Sequence, residues 1–289
     1  MVTISNGILT AQISETGAEL SKLSSKTTDY LWGGNPDIWK GHSPVLFPFV
    51  GRLKNKEYQF KGKTYGPVPI HGVAPKARFL TESWEESACT MLLVVTGEMK
   101  EIYPFEYDFR VRYELDGYTL KVSYLVTNRG SGRMYYGLGG HPGFNVPLKE
   151  GLAFEDYFVE FPDSGDVKRR IFTPGVLDTG VSEPYRLENR RLYLKHNLFD
   201  NDAVCLENTG YRCVIRTEKD KKSVTVNYPE TKWCAFWHKD HRQAPYVCVE
   251  PWFTLPGHDK LDDIEKRDDS LILDSGKSAV HNLIITVSE

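Results

Sequence analysis

Arg110-Val-Arg-Tyr-Glu-Leu115, then Asp116-Gly117, then Tyr118-Thr-Leu-Lys-Val-Ser-Tyr-Leu-Val126 is the continuous stretch that decides the fold class. Apolar and polar residues alternate along both arms. A side-chain period of two marks a strand with one buried face, and Asp-Gly between two such arms is a two-residue hairpin signal. The pattern predicts Val111, Tyr113 and Leu115 on one face together with Leu120, Val122, Tyr124 and Val126. Arg110, Arg112, Lys121 and Ser123 fall on the opposite face, toward solvent.

The same signals recur outward from this hairpin. Asn6-Gly7 joins Val2-Thr3-Ile4 to an alternating stretch over 9–13. Further strands are predicted at 58–60, 91–95, 134–138, 158–161, 211–216, 223–227, 234–237 and 283–287, and the charged segment Thr217-Glu-Lys-Asp-Lys-Lys222 reads as a hairpin loop. Only short helical turns are predicted, near 35–39 and 262–268, because neither segment is long enough to organise a layer. No linker, repeat or low-complexity segment divides the chain, so one all-β domain over 1–289, spaced like a large sandwich, is the expectation.

Composition narrows the function classes. A chain that is 40% hydrophobic and 26% charged with a formal net charge of -3 has the balance of an ordinary globular protein, without the basic excess of a nucleic-acid binder. Five cysteines with no C-x-x-C pair predict reduced core thiols rather than a disulfide framework. The N-terminal segment lacks the basic and apolar regions of a signal peptide, and no apolar run approaches a membrane span. A cytoplasmic protein without membrane contact is therefore expected.

Two segments carry the candidate chemistry. Gly139-Gly-His141-Pro-Gly-Phe-Asn145 presents a histidine from a turn fixed by Pro142 and Gly143, and Val249-Glu250-Pro-Trp-Phe253 sets a glutamate at a strand end among large apolar residues. Histidine has the near-neutral pKa that a general acid needs. A carboxylate in apolar surroundings becomes a stronger base unless hydrogen bonds or a cation offset the desolvation. The pair suits a cyclic hemiacetal, where one group protonates the ring oxygen and the other removes the anomeric hydroxyl proton. That chemistry requires no metal and no cofactor. Structural alternatives stand beside it: a loop histidine for His141, and a partner of a buried arginine for Glu250.

Arg52 and His71 lie in apolar, turn-rich sequence, where they could either reach into a cleft or staple loops through backbone carbonyls. Gly137-Leu-Gly-Gly140 superficially suggests a phosphate-cradling loop, but His141-Pro142 follows where a dinucleotide-binding fold would begin a helix. His238-Lys-Asp-His241 could be drawn with His258 as a metal site, yet the stretch is hydrophilic and reads as an exposed loop. The tryptophans and phenylalanines Trp32, Trp39, Phe47, Phe49, Trp233, Phe236, Trp237, Trp252 and Phe253 serve mainly to fill a β core, with room among them for a sugar-stacking platform.

In order along the chain, Pro44-Val-Leu-Phe-Pro-Phe-Val-Gly-Arg52-Leu, Ile70-His71-Gly72, Gly140-His141-Pro-Gly-Phe144, Phe199-Asp200 and Val249-Glu250 resemble the aldose 1-epimerase (galactose mutarotase-like) family, in particular its LacX-like branch. The resemblance covers essentially the whole chain. It implies a β-supersandwich of large antiparallel sheets with a sugar cleft and no cofactor, acting as a monomer or homodimer. It further implies His141 as general acid on the ring oxygen, Glu250 as general base on the C1 hydroxyl, and Arg52, His71 and Asp200 as substrate-binding residues. Gly51 stands where galactose mutarotases usually have asparagine, and Val73-Ala-Pro-Lys-Ala-Arg78 departs from the usual pattern after the histidine. The sugar is thus left open between a free hexose and, through Arg52, Lys76 and Arg78, a hexose phosphate. A non-catalytic carbohydrate-binding protein and a glycoside hydrolase are the remaining readings; the hydrolase is disfavoured because only one carboxylate has a suitable setting.

Overall fold

The computed structural model describes all residues from Met1 to Glu289. The hairpin read first from the sequence supplies the sixth and seventh strands of a nine-stranded antiparallel sheet. Its spatial order is Arg191–Tyr193, Phe158–Glu160, Arg212–Arg216, Ser223–Asn227, Ser278–Ser288, Thr119–Asn128, Tyr107–Asp116, Ala88–Leu93 and Phe79–Glu85. Tyr107, Phe109, Val111, Tyr113 and Leu115 are buried in strict alternation, and Leu120, Val122, Tyr124 and Val126 face the same core. Ser123, expected on the solvent side, is also buried, because its hydroxyl donates to Asn282 Oδ1 at 2.8 Å on the neighbouring strand. The turn itself is shifted by one residue: Asp116 pairs with Thr119, so Gly117 and Tyr118 are its centre. Gly117 takes φ +53°, the positive value that the first central position of a type II′ turn requires.

The second sheet has eight strands. Asp178–Pro184, Lys168–Phe172, Val204–Glu207, Trp233–Trp237, Tyr246–Trp252, Gly139–Gly140 and Val45–Leu46 follow in order, and Gly143–Asn145 also pairs with Tyr246–Trp252. Both sheets contribute to one core of 64 buried apolar residues. Tyr246–Trp252 is buried at every position, so both its faces are covered. Val247 and Val249 point into the main core, whereas Tyr246, Cys248 and Trp252 belong to smaller clusters on the opposite face. Strand alternation puts Glu250 on that opposite face too.

Several local expectations change for identifiable reasons. The Asn6-Gly7 turn has four residues, since Ser5 pairs with Thr10, and Asn6 Oδ1 accepts from the Ile8 and Leu9 amides. Residues 35–39 form a bridged loop instead of a helical turn, because Asn35 pairs with Trp39 and its side chain caps Asp37 N. At 262–268 the chain begins as a short strand, Asp262–Asp263, parallel to Tyr58–Phe60. One helix was not legible: Gly97–Ile102, whose first turn is capped by Thr96 Oγ1 accepting from Met99 N. All five cysteines are buried and free. No helix is long and apolar enough to cross a membrane.

Candidate active site

The register of two strands creates the central pair. Gly139 lies opposite Trp252 and Gly143 opposite Cys248, so His141 falls directly across from Glu250. The cross-strand distance from His141 Nε2 to Glu250 Oε1 is 3.2 Å. On the other side Glu250 faces Ala235, whose methyl group leaves room for the carboxylate. Contrary to the sequence reading, His141 is not held on a turn by Pro142 and Gly143: the register from Gly139 to Gly143 against Trp252 to Cys248 is continuous. Gly139–Gly140 is a short strand squeezed between Val45–Leu46 and Trp252. A Cβ on Gly140 would lie 3.0 Å from both Leu283 Cδ2 and the Tyr124 hydroxyl, so close packing is what demands glycine there.

No arginine pairs with Glu250, which removes the structural alternative considered for it. Its second oxygen accepts from Trp252 Nε1 at 3.2 Å. Burial pushes the Glu250 carboxyl well above its ordinary value, the negative charge of Asp202 pushes the same way, and the Trp252 hydrogen bond offsets only part. Burial pushes His141 down to about 4, against weaker opposing contributions from its own backbone and Glu19. Its Nδ1 is buried without a partner, so a cationic ring finds no acceptor on that side. The ring stacks on Trp39 at 5.3 Å and meets the edges of Trp237 and His71 at 5.7 and 5.5 Å.

His71 is held by the loop that carries Arg52. The Gly51 amide donates to His71 Nδ1 at 3.1 Å, and the His71 amide donates to Gly51 O at 2.8 Å. Accepting at Nδ1 fixes the neutral tautomer with its proton on Nε2. Burial, then the proximity of His141 and Arg52, hold this ring well below its ordinary pKa, so it remains neutral. Gly51 has φ +64°, and a Cβ there would meet the Pro256 ring at 2.7 Å. Local packing therefore accounts for the glycine that replaces the usual asparagine.

These groups line a cleft of about 800 Å³ on the face of the eight-stranded sheet away from the main core. His141, Glu250, Arg52, His71 and Asp200 all reach it, so the five residues singled out in the sequence converge. Arg52 Nη1 is 3.7 Å from Asp202 Oδ2, with both side chains substantially exposed, so the guanidinium is only loosely engaged. Asp200 Oδ1 accepts from the His241 amide at 3.2 Å and stands 3.3 Å from its ring. Lys76 and Arg78 do not line the cleft; its other cations are Arg169, Arg170 and Lys239. Arg170 is committed to Asp178 through two bonds of 2.7 Å.

Trp39, Trp237 and Asp202 were not singled out as site residues. The two tryptophans were visible only as members of a long aromatic set, and nothing local distinguishes those that meet His141. Asp202 sits two residues beyond Phe199-Asp200, in a loop whose direction the sequence does not reveal. His238, expected in an exposed loop, is fully buried against Phe199, with its Nε2 3.1 Å from His196 Nδ1. His258 lies apart from it, bonded to Asp262 at 2.7 Å, so the rejected metal grouping is not assembled.

"Protein LacX, chromosomal" of Lactococcus lactis subsp. lactis is 30% identical over 263 residues, which span 88% of each chain. A galactose mutarotase related enzyme from Lactobacillus acidophilus superposes with a TM-score of 0.93 at 34% identity, covering 100% of this chain and 97% of that one. A galactose mutarotase-like protein from Lactobacillus casei ATCC 334 gives a TM-score of 0.93 at 31% identity over the full length of both. The family model for aldose 1-epimerase matches residues 1–286. With that match over nearly its whole length, the chain belongs to the aldose 1-epimerase family.

Proposed function

We propose that the protein interconverts the α and β anomers of an aldohexose by opening and reclosing the sugar ring, without a cofactor, in one domain spanning the chain. The observation that carries this reading is the 3.2 Å His141–Glu250 pair on the floor of the cleft. In a cyclic hemiacetal the ring oxygen and the anomeric oxygen are bonded to the same carbon. A donor for one and an acceptor for the other must converge, as these two groups do.

The proton inventory is balanced. With the cyclic sugar bound, His141 gives its Nε2 proton to the ring oxygen while Glu250 takes the anomeric hydroxyl proton. The C1–ring-oxygen bond breaks and an aldehyde forms. This leaves neutral imidazole beside a carboxylic acid, which is the pairing that burial favours. Rotation about the C1–C2 bond and reversal of both transfers give the other anomer. His71, held neutral with Nε2–H free, donates to a sugar oxygen, and Arg52 and Asp200 bind hydroxyls.

The test is NMR or polarimetry of anomer exchange over a panel of free and phosphorylated aldoses, with chelator present. At least one sugar should equilibrate faster than in buffer alone. If none does, the reading fails and a carbohydrate-binding role replaces it. A hexose phosphate is the second reading, favoured by Arg52, Arg169 and Lys239 on the cleft wall. Arg52→Ala is expected mainly to raise KM, because it removes binding shared by ground and transition states. A large fall in kcat at unchanged KM would place Arg52 in the chemistry instead.

The pH dependence follows from the two displacements. Imidazolium with carboxylate and imidazole with carboxylic acid contain the same single proton, so activity tracks the one-proton form of the pair. His141 is pushed down to about 4 and Glu250 well up from the carboxylate range. The second proton is therefore gained only near the lower value, and the last is lost at the raised one. The kcat/KM profile should be a broad bell with its acid limb toward about 4, each apparent value belonging to the pair. An acid limb at the ordinary histidine value would show that His141 is solvated and titrates independently.

A further inference from the structure

The pair has a third neighbour that proton transfer does not use. Cys248 precedes Glu250 by two residues on the same strand, so both side chains leave the same face. One ligand atom from each of His141, Cys248 and Glu250 lies within 4.8 Å of the others, and all three residues are buried. We propose that these three side chains form a binding site for one zinc ion, and that zinc there inhibits the protein.

The donor set suits the metal. Imidazole nitrogen, thiolate and carboxylate are zinc ligands, and three of them with an open fourth position is a familiar arrangement. Bonds of about 2.0–2.3 Å in a tetrahedron set ligand atoms about 3.3–3.6 Å apart. The His141–Glu250 separation of 3.2 Å is already close to that range, and the thiol, no more than 4.8 Å from either, needs at most a small side-chain shift to complete it. The fourth position faces the cleft, where water completes the coordination.

Charge favours the complex. Alone, the buried thiol is held protonated by burial. Zinc displaces the thiol proton and the proton shared by the pair, releasing two to solvent. The dication with one thiolate and one carboxylate then has no net charge, so burial does not penalise it as it penalises each anion alone. The metal occupies the imidazole lone pair and the carboxylate, and neither can then move a proton. This inhibitory consequence rests on the function proposed above; the binding does not.

The experiment titrates zinc chloride into tag-free, chelator-treated protein by calorimetry, with cobalt chloride as an optical probe. One equivalent should bind, and cobalt should produce thiolate-to-metal absorption. Cys248→Ser and Cys248→Ala should weaken zinc by at least about tenfold, the lower end of what even a ligand's supporting partner contributes. Both should abolish the absorption while keeping anomer exchange in chelator. Zinc should stop exchange in the wild type and, at the same concentration, spare both variants. Absence of stoichiometric binding, or equal affinity and absorption in the variants, overturns the site. Tight binding with undiminished exchange overturns the inhibition. If no sugar is turned over at all, the proposed function falls, while calorimetry and absorption still decide the metal site.

Discussion

His141→Asn and Glu250→Gln are each expected to lower kcat for anomer exchange by at least about a hundredfold, the lower end of what a positioned acid or base contributes. Both replacements approximate the shape of the original side chain and remove its capacity to carry the proton. Each should leave the fold intact, because neither residue anchors a wider network: His141 Nδ1 has no partner, and Glu250 contacts only His141 and Trp252 among polar groups. Glu250→Gln also relieves a carboxylate that burial disfavours, so its unfolding midpoint should hold or rise. Single-sugar progress curves corrected for buffer catalysis, alongside denaturant melts, provide the check. A Glu250→Gln variant with near-normal turnover would end the assignment of Glu250 as base.

Arg267→Ala is expected to cost about 3–5 kcal/mol of stability, the usual penalty for breaking a buried ion pair from one side. Arg267 Nη1 donates to Asp262 at 2.8 Å, while Nε and Nη2 bind Asp269 at 2.8 and 2.7 Å. Nη2 also reaches the Leu255 carbonyl at 2.9 Å, and the Leu255 amide donates to Asp269 at 2.7 Å. Its removal leaves two carboxylates buried without their cation. Burial pushes Asp269 up, but the hydrogen bonds and charge of Arg267 outweigh it and hold the carboxyl below its ordinary range. The wild type therefore gains stability from this group above the unfolded carboxylate pKa and loses it as pH falls through the folded one. In the variant the Asp269 carboxyl loses the cation that offset its burial, so the difference between the proteins should narrow on acidification. Urea unfolding at neutral and mildly acidic pH measures both effects; a difference that stays constant across them would rule out stranded charge as the cause. Pro256, next to Leu255, packs on Gly51, so the variant should also loosen the Arg52 loop.

The alternation in 110–126 was enough to specify that hairpin and its buried face, because a period of two depends only on neighbours in the chain. The turn was displaced by one residue for an equally local reason: Gly117 sits best at the first central position, which the Asp-Gly signal assigns to Asp116. The pairing of His141 with Glu250 is different. Each residue stood out by its setting, yet their opposition depends on register across the 108 residues between them, which no local pattern contains. Trp39 and Asp202 were missed for the same reason, since both meet the site through loops folded over it. His238 was misjudged because its hydrophilic neighbours suggested exposure, whereas its own ring turns inward onto Phe199 and His196.

The strand Ser278–Ser288 lies inside the nine-stranded sheet, between Thr119–Asn128 and Ser223–Asn227. All eight strands it joins in that sheet are synthesised before it. Until it emerges from the ribosome, the nascent chain has a gap in the middle of its largest sheet, flanked by two apolar strands with unpaired backbone groups. Such open edges template wrong pairings. The pairing that closes this sheet therefore waits for a strand made after all eight of its sheet partners, and folding yield should depend on how long those edges are shielded before it pairs.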